Sequence, residues 1–97
     1  MPRESSFTEQ VGSTFEVVDV SPAPFELTMT KVVEHARTDH QEAFSVFFIG
    51  PADRFMQQGI RKIRNAQFGE IEIFLVPVAK TNDGFEYEAA FNYILDK

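Results

Sequence analysis

Apolar and polar residues alternate along much of this chain, and a period of two is typical of a β-strand that buries one face. Residues 25–33 show the pattern most clearly, with Leu27 and Met29 set between polar neighbours. Residues 69–78 begin with the same alternation and then become continuously apolar. Together these patterns predict six strands, at residues 14–20, 25–33, 43–49, 59–64, 69–78 and 85–94.

The connections between these segments are short, and none contains an amphipathic stretch long enough for a helix. Pro22 and Pro24 are predicted to end the first strand, and a turn at Gly84 is predicted to join the last two strands in a hairpin. The polar stretch 34–42 is predicted to be a loop, whereas residues 52–58 fit either a helical turn or a looped crossing. The basic residues in the fourth segment favour an edge strand.

The N-terminal segment 1–12 is polar, but the spacing from Ser6 to Glu9 is that of a capping box. We therefore expect one short helical turn before Gly12. A chain of 97 residues has the usual size of a single domain. The sequence thus predicts one all-β domain over residues 1–97, a small antiparallel barrel or sandwich of about six strands with a short N-terminal helical turn.

Phenylalanine dominates the apolar composition with 11 residues, while tryptophan and cysteine are absent. Each buried Phe stabilises a core by roughly 1.5–3 kcal/mol, so a domain of this size can fold on these rings.

Without cysteine there is no disulfide and no thiolate, and the predicted location is cytoplasmic. No apolar run is long enough for a signal peptide or a membrane span, and a formal charge of −6 disfavours binding to nucleic acid.

The two histidines are the first candidates for chemistry. Asp39 lies between His35 and His40, and Glu34 and Glu42 flank them, so the group could collect a divalent metal. Its spacing matches no stable ligand pattern, however, and no cysteine completes a tetrahedron. We interpret both histidines as solvated loop residues and predict no catalytic, cofactor-binding or metal-binding residue.

Carboxylates on two adjacent predicted strands are the other candidates for chemistry. Glu70 and Glu72 share one face of the fifth strand, and Glu86 and Glu88 share one face of the sixth. A cross-strand acid pair could perform acid–base catalysis. Charges on an exposed sheet face usually serve solubility, and bases on neighbouring strands could balance these acids. An acid–base enzyme is therefore the third of three hypotheses.

The third and fifth predicted strands are apolar on both faces, at Phe47 and Ile49 and at Phe74 and Val76. These residues need a second cover, which could be the opposite barrel wall, the N-terminal turn or another subunit. The first hypothesis is a non-catalytic structural or adaptor module that binds another protein or a copy of itself. Aromatic, Met and Arg side chains are enriched in binding hot spots, and the predicted partner-binding residues are Arg54, Phe55, Met56, Arg61 and Arg64.

The second hypothesis is a small-ligand-binding barrel, in which a pocket is lined by Phe44, Phe48, Phe74 and Phe91. It ranks lower because small barrels are usually filled by their own side chains.

Several segments together resemble a small bacterial family of about this length whose function is uncharacterised. They are residues 44–51 (FSVFFIGP), 57–59 (QQG), 68–69 (FG), 74–78 (FLVPV) and 87–92 (YEAAFN). Most of these positions are strand cores and turns, so the resemblance implies a shared fold more than a shared activity. Gln57 replaces a usual proline and Asn65-Ala66 replaces a usual His-Pro pair, so a role of that histidine does not carry over. The resemblance also implies an association with phage-tail collar-like fibre proteins, in an accessory or structural role.

Overall fold

All six predicted strands and the predicted short N-terminal helix form in the computed structural model, which describes residues 3–19 and 25–94. In chain order the elements are α1 (Glu4–Thr8), β1 (Thr14–Val17), β2 (Phe25–Arg37), β3 (Gln41–Gly50), β4 (Gly59–Asn65), β5 (Gly69–Thr81) and β6 (Gly84–Ile94). The predicted turn at Pro22 and Pro24 lies outside the described residues, as does Val20. Residues 51–58 form a loop that connects β3 to β4, and we call this loop the crossing.

The strands close into an antiparallel barrel in the order β1-β2-β3-β6-β5-β4, with β4 paired back to β1. The sequence left a barrel and a sandwich open, and the barrel is the observed architecture. The prediction that residues 59–64 form an edge strand is wrong, because β4 has a partner on each side. Its basic residues instead meet acids across the sheet, as when Arg64 donates to Glu16 at 2.6 Å.

The polar stretch 34–42 is largely strand, which corrects the predicted loop. β2 continues to Arg37 and β3 begins at Gln41, so only residues 38–40 turn. In this turn the amide of Thr38 donates to the carbonyl of Gln41 at 2.8 Å. Polar residues suit a hairpin that is wet on its outer face. The pairing of β2 with β3 shifts register between Met29 and Lys31 and again between Glu34 and Ala36.

The barrel interior is filled by apolar side chains from every strand. Phe7 enters one end from α1, and its ring centroid lies 5.0 Å from those of Phe68 and Phe91. Deeper in the barrel Phe15 packs edge-on against Phe48 at 5.6 Å. The buried core comprises Phe7, Phe15, Val17, Leu27, Met29, Phe44, Val46, Phe48, Met56, Ile63, Ile73, Leu75, Tyr87 and Ala89.

The helix α1 is held by the barrel and not by the predicted capping box. It begins at Glu4, with Arg3 as its N-cap residue and no side-chain cap from its own segment, so Ser6 lies inside the helix. The carboxylate of Glu42 on β3 instead accepts the amide of Glu4 at 3.1 Å. A free helical amide thus finds its acceptor across the fold.

Glu42 is also the centre of an ion-pair network, although its side chain is buried. The guanidinium of Arg3 donates to both of its carboxylate oxygens, at 2.9 and 3.0 Å. Next to it, Arg37 donates to Glu4 at 2.7 Å and to Glu34 at 3.1 Å. The hydrogen bonds from Arg3 and from the amide of Glu4 lower the pKa of Glu42 from 4.5 to about 2.

We predict that Glu42→Gln destabilises the fold by about 1–3 kcal/mol near neutral pH, because it removes a charge-assisted pair. The contribution of Glu42 is fully present above pH 4.5 and is lost as the pH falls towards 2. Denaturant unfolding of both proteins across this range measures the difference. Glu70→Gln is the control, since its exposed pair with Lys62 at 3.9 Å should contribute less than about 1 kcal/mol. A difference that persists unchanged at low pH would contradict the prediction.

Gly84 is the position where the backbone leaves no room for a side chain. Its φ is +143°, and a Cβ atom would overlap the carbonyl oxygen of Gly50. We expect Gly84→Ala to destabilise the fold by about 3 kcal/mol or more. Gly69→Ala is the matched control, since its φ is +67° but nothing lies near the added methyl, and it should cost about 1–2 kcal/mol. Equal losses of unfolding free energy in the two variants would contradict this account.

Candidate protein-binding face

Alternation along the strands puts one set of apolar side chains on the outside of the barrel. Ile60 on β4 is directly opposite Phe74 on β5, and their exposed fractions are 66% and 50%. We call the apolar residues of this surface the outer apolar face, and they are Phe47, Ile49, Ile60, Phe74, Val76 and Val78. The opposite barrel wall cannot cover side chains that point outward, and the N-terminal helix sends Phe7 into the core instead. Two of the three predicted covers are therefore wrong.

An acidic strand divides this face. Glu88 on β6 lies between Phe47 on β3 and Val76 on β5, and Glu86 pairs with Ile49 in the same way. Both carboxylate side chains are half-buried. Among the residues that the structure describes, Glu86 makes no hydrogen bond and no ion pair.

Glu88 is joined to β2 through a buried hydroxyl. Ser45 on β3 is 1% exposed, and its hydroxyl donates to Glu88 at 2.5 Å. The Nε2 atom of His35 lies 2.8 Å from the same hydroxyl oxygen. The serine hydroxyl donates to Glu88, so its oxygen is left to accept a hydrogen bond from the Nε2–H tautomer of His35. We call these three side chains the polar bridge.

The interpretation of His35 as a loop residue is wrong, since it lies on β2. Its side chain is exposed, as expected, and is also hydrogen-bonded to Ser45. His40 does lie in the turn and is exposed. The order of groups differs from that of a hydrolytic triad, in which the imidazole lies between hydroxyl and carboxylate. Here a buried hydroxyl occupies the middle position. Within residues 3–19 and 25–94 no group of three acids or histidines is arranged to hold a metal.

The four acids considered for catalysis do not form a cross-strand acid pair. Glu70 and Glu72 lie opposite Arg64 and Lys62 on β4. Glu86 and Glu88 lie on β6 opposite the second half of β5, where they pair with Ala79 and Val76. The register of the barrel therefore sets the first two acids beside bases and the other two within the outer apolar face.

The predicted partner-binding residues do not form one surface. Phe55 is 56% exposed, and its ring packs on Phe85 at 5.1 Å. Met56 is buried, and its amide donates to the hydroxyl of Tyr87 at 3.0 Å, so it is unavailable to a partner. An inward position suits this apolar side chain because the crossing closes one end of the barrel.

The three predicted arginines are separated as well. Arg61 donates to the carbonyl of Gln57 at 2.8 Å and so fastens the crossing. Arg64 is exposed but pairs with Glu16 nearer the other end of β4, and Arg54 is half-buried on the crossing.

The predicted pocket of four phenylalanines is also absent. Phe44 and Phe48 are buried in the core, and Phe91 stacks on Phe44 with ring centroids 5.0 Å apart. Phe74 points away from them on the outer apolar face, because it follows the inward residue Ile73 on β5.

The fold and this face define a small closed antiparallel barrel with an N-terminal helix at one end and a partly apolar, partly acidic exterior. The chain belongs to the family described as Domain of unknown function (DUF6916), which matches residues 2–91. The predicted resemblance to a small family of uncharacterised function is thereby confirmed. No curated protein and no solved structure matches the chain. No helix in the described part of the chain is long and apolar enough to cross a membrane.

We predict that the polar bridge is energetically coupled. Ser45→Ala and Glu88→Gln should each destabilise the fold by about 1–2 kcal/mol, and the double variant should lose less than their sum by at least about 0.5 kcal/mol. Denaturant unfolding of the four proteins completes the cycle. Ser45→Ala combined with Glu86→Gln is the control, and these two changes should add, because no hydrogen bond joins the two side chains. Additive losses in both cycles would contradict the coupling.

Proposed function

We propose that this protein is a non-catalytic adaptor module that binds another protein through the outer apolar face. The supporting observation is that Ile60 and Phe74 lie directly opposite each other on adjacent strands and that each side chain is at least half exposed. Val76 and Val78 continue this surface along β5. Contiguous apolar surface on the outside of a filled barrel adds nothing to its core, and it is typical of an interaction site.

The chemistry of the partner follows from the acidic strand within the face. A partner that covers the outer apolar face also removes water from the half-buried carboxylate of Glu86. Burying a charge without a counter-charge is costly, so the partner should supply one. We therefore propose a partner segment that presents Lys or Arg between apolar side chains.

A second copy of the chain fits this requirement poorly. Each copy carries a formal charge of −6, and a face-to-face dimer brings together two surfaces that both contain Glu86 and Glu88. Nucleic acid fits poorly too, because Arg3, Arg37 and Arg64 are engaged with acids. A cytoplasmic location and a fibre protein as the partner remain hypotheses from the sequence.

Site-specific photo-crosslinking in cells of the source organism tests this proposal. A photoreactive phenylalanine analogue replaces Phe74 in one protein and Phe55 in a matched control, since both rings are about half exposed. We expect Phe74 to yield one cross-linked protein whose attached peptide carries Lys or Arg beside apolar residues. Phe55 should yield none, because it lies on the crossing and outside the outer apolar face.

Two charge variants sharpen the test. Glu86→Gln should lower the cross-linking yield about tenfold, because the partner cation loses its counter-charge. Glu70→Gln should leave the yield unchanged, since Glu70 lies opposite Arg64, outside the face.

Cross-linking from Phe55 alone, an acidic peptide or a peptide from a second copy would contradict the proposal. Light scattering should give a mass near 11.1 kDa for the purified protein, and a dimer would favour self-association.

A further inference from the structure

A second surface lies at the other end of β4 and β5, where α1 and the segment after it meet the β4–β5 turn. Two adjoining depressions of about 300 and 480 Å³ share Gln10 and Gln67 as lining residues. We call the combined depression the amide cleft. Both depressions are open to solvent, so a ligand bound there would keep part of its surface in water. The cleft lies where Asn65 pairs with Gly69, whereas Ile60 and Phe74 pair near the start of β4 and in the middle of β5, so the cleft is separate from the outer apolar face.

The lining of the amide cleft is rich in neutral polar groups. It has hydroxyl groups, carboxamide groups, one carboxylate and one aromatic ring, and its side-chain members are Ser6, Glu9, Gln10, Ser13, Thr14, Asn65, Gln67 and Phe68. Hydroxyl and carboxamide groups each both donate and accept hydrogen bonds. No lysine, arginine or histidine is among these residues, so the cleft offers no counter-charge to an anion.

The walls of the cleft are fixed by hydrogen bonds between them. The side-chain oxygen of Asn65 accepts the amides of Gln67 at 3.0 Å and Phe68 at 2.8 Å, which shapes the turn. The side-chain nitrogen of Asn65 donates to Gln10 at 3.2 Å and so ties the turn to the segment after α1. That segment is anchored in turn, because the amide of Gly12 donates to the carbonyl of Met29 at 2.8 Å. A prearranged site loses less conformational entropy on binding.

Several polar groups of the cleft have no partner within the described part of the chain. The hydroxyls of Ser6, Ser13 and Thr14 and the carboxamide of Gln67 make no hydrogen bond there. The ring of Phe68 is half-buried, and its inner side is supported by Phe7 at 5.0 Å. The cleft thus offers unused donors and acceptors around an apolar ring that is held in place.

We propose that the amide cleft binds a neutral saccharide. A sugar presents several hydroxyl groups, each a donor and an acceptor, around a ring that also has apolar C–H faces. The hydroxyls and carboxamides of the cleft match the first property, and Phe68 matches the second. Glu9 can accept hydrogen bonds from two sugar hydroxyls, because a carboxylate has two acceptor oxygens.

NMR titration of the full chain with glucose, galactose, mannose and N-acetylglucosamine, up to about 50 mM, tests this proposal. We expect at least one sugar to bind with a dissociation constant on the order of 1 mM. The side-chain amide signals of Gln10 and Gln67 and the ring signals of Phe68 should shift. Glucose 6-phosphate should bind more weakly than glucose, because the cleft has no cation and contains Glu9.

Gln67→Ala should weaken the binding about fivefold, which corresponds to one neutral hydrogen bond. Gln58→Ala is the matched control, because it removes another exposed glutamine from the crossing at the other barrel end. Unchanged backbone spectra establish that both variants fold. No shift at the cleft with any of the four sugars, equal binding by the two variants, or tighter binding of the sugar phosphate would overturn the proposal.

Discussion

Closure of the sheet is the constraint on which the rest of this structure depends. Once β4 pairs with β1, every strand has two neighbours and each side chain must point either into the barrel or away from it. The interior is narrow and is filled by one face of each strand, with Tyr87 and Met56 at one end and Phe7 at the other. Apolar residues at the alternate positions have no interior left to enter. The outer apolar face is therefore a direct result of strands that are apolar on both sides.

The two ends of the barrel are closed by different chemistry. At one end the crossing is held by hydrogen bonds from Arg61 and from the amide of Met56. At the other end the short α1 has too few residues to be stable alone, and Glu42 binds its first amide together with Arg3. Helix and barrel thus depend on each other, because the carboxylate of Glu42 would otherwise be a buried charge without a counter-charge.

The period-two alternation was sufficient to predict the number of strands and the all-β class, since it reports burial on one face directly. It failed where polar residues extend a wet hairpin, as at Arg37, and composition could not tell that Met56 points inward while Phe55 does not. The polar bridge depends on the register of three strands, which one sequence does not reveal. One signal was available: Ser45 interrupts an apolar run at an outward position, between the inward Phe44 and Val46. A polar residue there suggests a specific hydrogen bond.

The number of paired residues between neighbouring strands differs around the barrel. Within residues 3–19 and 25–94, β3 and β6 share ten paired positions, whereas β1 and β4 share two. Opening of the barrel between β1 and β4 would free the edge of β4 to pair with another molecule. Lys62 and Arg64 lie on that edge, and like charges on two such edges repel. The basic residues of β4 thus protect against intermolecular strand pairing in the opened barrel, a protection that the closed barrel does not need.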